Sequence, residues 1–370
     1  MATNSNHRST TGRQNTAKKK AGSKRKLIIF AVEILVIAVM ILALYLVTQM
    51  TSDTDGPKVT VLEPEKLEIK QEVVENESMQ GYKNIALFGV DATEEDELYK
   101  GSRSDSIMIA SINMDTGDIK LVSVYRDTFL NLGNDSYRKC NAAYSYGGAE
   151  QAIRMLNMNL DMDIKEFITV GYKGLAEVID GLGGVYIDVD AAELAHINNY
   201  QLAIAKVLDK DYVKVKEAGY QLLDGIQATA YCRIRYTAGN DFKRAARQRE
   251  VIMAIEEQAK KADLDTLMKV FNVAIDDVYT NIKTEDFTEL LSNIMNYRIV
   301  AEDGFPQEDM RTAKTIGAKG SSVIPLDLVS NVVWLHEFLF EDQEYVVTES
   351  VREYSQKIKE ETDPYINSGN

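Results

Sequence analysis

The chain has 370 residues, 45% of them hydrophobic, which is enough to bury at least one large core. Its formal charge of −15 argues against a nucleic-acid partner. Two cysteines, Cys140 and Cys232, are too few for a disulfide framework and leave either one bridge or two small buried apolar side chains. His7, His196 and His336 lack metal-ligand spacing, which argues against a zinc site.

Residues 1–26 carry basic and no acidic side chains and are rich in Ser, Thr and Asn, so a disordered cytoplasmic tail is expected. Leu27 to Val47 is apolar apart from Glu33. At 1.5 Å per residue such a helix just spans a hydrocarbon core of ~30 Å, so residues 27–48 are predicted to cross the membrane. The run is longer than a signal-peptide core, and no good small-residue cleavage site follows it. The basic flank keeps the N-terminus inside, which places the rest of the chain outside the cell membrane as a single-pass protein.

Residues 49–80 hold Pro57, Pro64 and many charges, and read as an extracellular stem. The globular part is expected to begin near Tyr82. Asn84 to Val90 reads as a buried strand ending at Asp91. Ser106 to Met114 is a second strand, Asp115-Thr116-Gly117-Asp118 a turn, and Ile119 to Tyr125 the returning strand, a hairpin signature. A helix follows Gly147-Gly148. Phe167 to Tyr172 reads as a strand, Tyr172 to Asp180 as a helix, and V-Y-I-D-V-D as a strand after Gly183-Gly184. The mixture predicts an α/β class with a mixed central sheet. Residues 263–370 read as a mainly helical C-terminal extension packed on the domain at 81–262, with Trp334 in its core.

Charged residues gather at strand ends. Asp91 follows the first strand, Arg103 and Asp105 precede the second, and Arg126-Asp127 follow the third. Neighbouring strand ends of an open sheet face one crevice, where ligands bind. Tyr231 to Tyr236 alternates, which predicts a strand with Arg233 and Arg235 on one face. Asp241 reads as the N-cap of a helix on which Arg244 and Gln248 lie one turn apart. Guanidinium forks at a helix N-terminus suit phosphate oxygens. Asp91 with Asp105 would suit Mg²⁺, which takes one or two carboxylates plus phosphate oxygens.

Four segments resemble the LytR-CpsA-Psr family of cell-wall phosphotransferases: I-A-L-F-G-V-D; R-S-D-S-I-M-I-A-S-I-N with L-V-S-V-Y-R-D-T; K-C-N-A-A-Y-S-Y-G-G; and L-D-G-I-Q-A-T-A-Y-C-R-I-R-Y with D-F-K-R-A-A-R-Q. The resemblance implies a three-layer α/β/α fold with a deep apolar cleft and an arginine-rich mouth. It implies transfer of a glycopolymer (teichoic acid, capsule or similar) from undecaprenyl diphosphate to peptidoglycan, assisted by Mg²⁺. By motif position, Asp91 and Asp105 are the implied metal carboxylates. Arg103, Arg126, Arg233, Arg235, Arg244 and Gln248 are the implied pyrophosphate contacts. Arg126 and Asp105 are the implied catalytic pair, Asp105 as the candidate base. Lys139, Asn141 and Arg247 match supporting positions. This chain departs from the family with Tyr125 in place of a proline, Tyr236 in place of a histidine, and Thr93 in place of a basic residue. A polyprenyl-diphosphate pyrophosphatase and a non-enzymatic lipid-precursor sensor or transcriptional attenuator stand as alternatives.

Overall fold

The computed structural model describes residues 60–92, 98–99, 101–235 and 240–367. The chain divides into Met1–Gly56 and Pro57–Asn370, and every described residue lies in the second unit. The predicted membrane span, Thr93 and Tyr236 therefore lie outside the described residues. Among those described, no helix is long and apolar enough to cross a membrane.

The centre is a six-stranded mixed sheet. It joins β1 (Tyr82–Val90), β2 (Ser104–Asn113), β3 (Asp118–Val124), β6 (Glu166–Val170), β9 (Val278–Thr280) and β10 (Arg298–Phe305) in the order β10-β3-β2-β1-β6-β9. The expected β2–β3 hairpin is present, β1 pairs antiparallel with β2 and parallel with β6, and β10 runs parallel to β3. Two small hairpins accompany it early in the chain, β4 (Phe129–Asn131) with β5 (Tyr137–Lys139), and β7 (Val185–Val189) with β8 (Gly219–Leu223). A third pairs β11 (Arg311–Thr315) with β12 (Ser321–Pro325).

Strand alternation sends side chains to two faces. Ala86, Phe88 and Val90 of β1 join Ile107 and Ile109 of β2 in the main core. That core is closed by α2 (Ala142–Leu160), α9 (Leu328–Phe340) and α10 (Glu349–Ile366). Trp334 packs against it, half-buried, as expected. The helix α2 bends at Gly147 and Gly148, which depart from helical dihedrals. On the opposite face stand α3 (Tyr172–Gly181), α4 (Leu194–Leu208), α5 (Gly225–Tyr231) and α6 (Asn240–Ala259), which with β7 and β8 build a second core.

Three sequence expectations are corrected. The stem does not extend to residue 80: α1 (Gln71–Val74) and its neighbours bury Leu67, Val73 and Met79 in the main core. The side chain of Asn157 donates to the Leu67 carbonyl, fastening that segment to α2. Residues 263–370 are mainly helical as expected, but they are not an extension on a domain ending at 262, because both edges of the central sheet, β9 and β10, come from them. They also supply α7 (Leu264–Ala274) and α8 (Thr284–Ser292). Only the last two residues of β10 are buried, so its charged sequence hid an edge strand. Finally, the described part of the predicted strand, Tyr231 to Arg235, is not a strand. Asp224 and Gln227 form a capping box, and the helix it starts runs to Tyr231, with Cys232 at its C-cap.

Candidate functional site

Between the sheet and the second helical layer lies a cavity of about 550 Å³. Its floor is Leu87 of β1, Met108 of β2, and Ile168 and Val170 of β6; its walls include Leu175 and Val178 of α3 and Val251, Ile252 and Ile255 of α6. Gly89 lets β1 lie close to β2 at the cavity: a Cβ there would lie 3.0 Å from that of its ladder partner Ser106. Cys232 also lines the cavity, while Cys140 sits in the main core. Both thiols are free, buried and pushed upward in pKa by burial, which resolves the cysteine alternatives in favour of small apolar side chains.

Polar residues collect at one end of the cavity: Asp91, Asp105, Arg233, Arg235, Arg244 and Gln248. Asp105 is the hub. In the β1–β2 ladder Gly89 pairs with Ser106 and Val90 with Ser104, so Asp105 is the extra residue of a bulge. Bulges re-aim side chains, and this one turns a carboxylate toward the cavity. Arg126 donates to one Asp105 oxygen at 2.6 Å, Arg235 to the other at 2.7 Å, and Arg244 to its carbonyl at 3.3 Å. Burial pushes the Asp105 carboxyl up, but the charges of Arg126, Arg244 and Arg235 together outweigh burial and hold it below the ordinary carboxylate range.

Asp241, expected as a helix cap, lies inside the first turn of α6 and joins the cluster. It stands 3.2 Å from Arg244, 3.6 Å from Arg126 and 4.0 Å from Arg235. Its position three residues before Arg244 was the available signal, because such pairs meet on a helix. Arg244 is nearly buried, and burial together with the neighbouring Arg126 charge lowers its pKa to about 10. Its Nε, and the Nε of Arg126, are buried without a hydrogen-bond acceptor, while its Nη1 meets Asp241 only as an ion pair. Buried donors left in this state are expensive. The cluster therefore has cationic capacity that its own acids do not satisfy.

Arg233 stands apart from that knot. It lies 3.9 Å from half-exposed Asp91, and its guanidinium covers the Tyr172 ring at 4.4 Å and the Tyr200 ring at 5.5 Å. Sequence reasoning missed these two tyrosines, because aromatic platforms under an arginine leave no spacing pattern. Gln248 reaches the Cys232 carbonyl at 3.5 Å. The structure thus brings Asp91, Asp105, Arg126, Arg233, Arg235, Arg244 and Gln248 to one region. Arg103 is exposed at the start of β2, does not line the cavity, and makes no ion pair among the described residues.

The supporting positions sit behind the mouth. Lys139 pairs with Asp127 at 3.0 Å, and the Asn141 backbone N–H donates to the Arg126 carbonyl at 3.1 Å. Arg247 turns away into a buried pair with Glu193 at 2.7 Å and also donates to the Ile234 carbonyl. It holds α6 against α4 and the turn after α5 rather than facing the cavity.

A mixed sheet with helices on both faces, a largely apolar chamber in one layer and a cationic mouth together define a class of α/β proteins. Residues 44–324 match the family model described as the LytR_cpsA_psr family, and the chain belongs to that family. Among curated relatives, it is 27% identical over 210 residues to TagU of Enterococcus faecalis, named a polyisoprenyl-teichoic acid–peptidoglycan teichoic acid transferase. That match covers 56% of this chain and 64% of the relative, so the chain spans less than two thirds of that protein. It is 26% identical over 239 residues to biofilm regulatory protein A of Streptococcus mutans, covering 59% of this chain and 56% of the relative. The fold is similar to the crystal structure of Bacillus subtilis TagV, with a TM-score of 0.57, 24% identity, and coverage of 72% of this chain and 99% of that one. It is also similar to TagT with bound octaprenyl pyrophosphate lipid, with a TM-score of 0.52, 19% identity, and coverage of 78% and 98%.

Proposed function

We propose that this protein is a phosphotransferase that moves a glycopolymer, with its phosphate, from a polyprenyl diphosphate to peptidoglycan. The observation that carries this reading is the apolar cavity of about 550 Å³ ending at the Asp105–Arg126–Arg235–Arg244 knot. An apolar chamber suits a prenyl tail, and the guanidinium forks suit the diphosphate next to it. The relatives named for teichoic acid transfer, and the TagT structure titled with a prenyl pyrophosphate, point the same way. Undecaprenyl is the donor chain expected for such a lipid. The apolar run Leu27–Val47 supports a membrane anchor that would keep the domain beside its lipid.

The residues act by holding and neutralising. The incoming diphosphate draws Arg126, Arg235 and Arg244 from Asp105 to its own oxygens, while Arg233 and Gln248 bind from the cavity side. An acceptor hydroxyl attacks the sugar-bearing phosphorus. The new O–P bond forms as the bond to the bridging oxygen breaks, and polyprenyl phosphate leaves. Positioning and charge stabilisation carry such a transfer. Paired with Arg126 and Arg235, and with the charge of Arg244 beside it, the Asp105 carboxylate is a weak base. Once they turn to phosphate its basicity rises, which suits it to take the hydroxyl proton. Asp91 and Asp105 fit Mg²⁺ as hard oxygen donors lining one cavity, with phosphate oxygens completing the set. Bound there, Mg²⁺ would neutralise diphosphate charge.

The test is a product assay with the full chain in detergent, a lipid-linked glycopolymer and peptidoglycan strands. The expected product is polymer joined to glycan through phosphate, formed only when acceptor is present. Free polymer phosphate released at the same rate without acceptor would identify a pyrophosphatase instead. No turnover, despite tight lipid binding, would favour a sensor.

A further inference from the structure

Tyr125 and Phe242 each sit one residue from a member of the arginine–acid knot, Arg126 and Asp241 respectively. Their rings meet edge to face at 4.7 Å. Over both lies the guanidinium of Arg311, 4.1 Å from the Phe242 ring and 4.8 Å from that of Tyr125. Its Nη1 also donates to the Tyr125 hydroxyl at 3.3 Å and to the Pro306 carbonyl at 2.8 Å. Arg311 does not line the main cavity and forms no salt bridge among the described residues. We propose that Arg311 is a positioning residue: its planar cation clips the turn carrying Arg126 to the first turn of α6, setting where the Arg126 fork points.

The surroundings make the clip stiff. Arg311 opens β11, which pairs with β12, and Val323 of β12 donates its N–H to the Asp127 carbonyl at 2.9 Å. The Tyr125 N–H donates to the Phe305 carbonyl at the end of β10. Gly304 leaves room for the Tyr125 hydroxyl, with which any Cβ at 304 would collide. On the other side, Arg249 of α6 pairs with Glu302 of β10. Both members of the clip are thus tied to the segment beyond residue 262. A guanidinium is the group for this task, because it can stack on ring faces and still donate in its own plane. Lysine can do only part of it.

This inference rests on the transferase reading, and its test separates the two. In full-length protein in detergent, Arg311→Ala should lower kcat about 10- to 100-fold, as expected for a misplaced catalytic group. The KM for the lipid-linked donor should rise only a few-fold, because Arg126 is one of several diphosphate contacts and Arg233, Arg235, Arg244 and Gln248 stay in place. Arg311→Lys should recover little. Tyr125→Phe, which keeps the ring and loses one hydrogen bond, should give a smaller fall in a fully folded protein. Added to Arg126→Ala, Arg311→Ala should lower the rate no further. Wild-type kcat in Arg311→Ala, or an additive loss in that double variant, overturns the proposal.

A readout that needs no turnover is the Nε–H resonance of Arg126, identified by its loss in Arg126→Lys. Arg311→Ala should shift or broaden it. An unchanged resonance overturns the clip. A changed resonance in a protein that transfers nothing supports the clip and rejects the transferase reading alone.

Discussion

Asp105 accepts from two guanidinium forks while its own backbone carbonyl holds a third. Removing either fork by Arg126→Ala or Arg235→Ala should lower transfer about 10²- to 10³-fold, as losing one donor to a developing charge does elsewhere. The far-ultraviolet circular dichroism should be unchanged, and near-wild-type rates in a purified lipid-donor assay would reject these roles. Asp105→Asn acts in the other direction on the empty protein. It leaves Arg126, Arg235 and Arg244 with Asp241 alone to balance their charge, and should cost roughly 2 kcal/mol in urea unfolding at pH 7. Inorganic pyrophosphate should restore part of that loss.

The Asp105 contribution has a defined pH sense. Its folded pKa is depressed below the ordinary 3.8, so the stabilisation is fully present above pH 4 and is lost as pH falls through the lower folded value. A second titration works in a different window. His336, stacked on Tyr345 at 3.6 Å, is buried, and burial lowers its pKa from 6.5 to about 4. Between those values the unfolded chain binds the proton and the folded one does not, so acidification should cost on the order of 3 kcal/mol. Asp161 nearby, its carboxyl raised by burial, opposes that slope at the acid end. The substitution His336→Phe should flatten the stability curve between pH 6.5 and 4; an unaltered slope would assign it to other groups.

Among the elements, α3 and α5 set the width of the chamber. Gly225, at the start of α5, lies against the Ala176 backbone of α3, and a methyl group there would collide with the Ala176 carbonyl. The substitution Gly225→Ala should push these helices apart and destabilise the protein by about 1–3 kcal/mol. Because Leu175, Val178, Thr229 and Cys232 all line the cavity, affinity for a prenyl lipid should fall with it. Unchanged unfolding midpoint and lipid affinity would show that the pair can relax. The same elements show what the sequence exposed. The β2–β3 hairpin was legible, because period-2 alternation flanked a Gly-containing turn, and α9 was legible from its apolar run. Tyr231 to Tyr236 misled, because six alternating residues do not separate a strand from a helix end. The decisive sign was the Asp224–Gln227 capping box upstream. Acids and arginines were legible as a set through the family resemblance. That Arg103 and Arg247 stand away from the mouth was not, because motif position fixes a residue type and not the direction of its side chain.

At the scale of the whole molecule, the sheet is completed from far along the chain. Ending the protein at Ala262 would strip β10 from β3 and β9 from β6, exposing two unpaired sheet edges. It would also remove α9 and α10 from the main core. Such a fragment should be recovered insoluble, and a soluble monomer with native-like amide protection would refute this view of the C-terminal segment.

Asp105 gives the resting protein an anion of its own. Any visitor to the mouth is therefore a competitor rather than a first occupant. A lone phosphate has fewer oxygens with which to displace a carboxylate already seated between two guanidinium forks, whereas a diphosphate can engage several forks together. In the proposed transfer the same rivalry would operate after the bond to the bridging oxygen breaks. What would stay behind is a monophosphate on a greasy tail, with the carboxylate close at hand to reclaim its partners and loosen it. The bulge that turned this side chain out of the ladder thereby builds both a threshold for entry and a means of exit into a single residue.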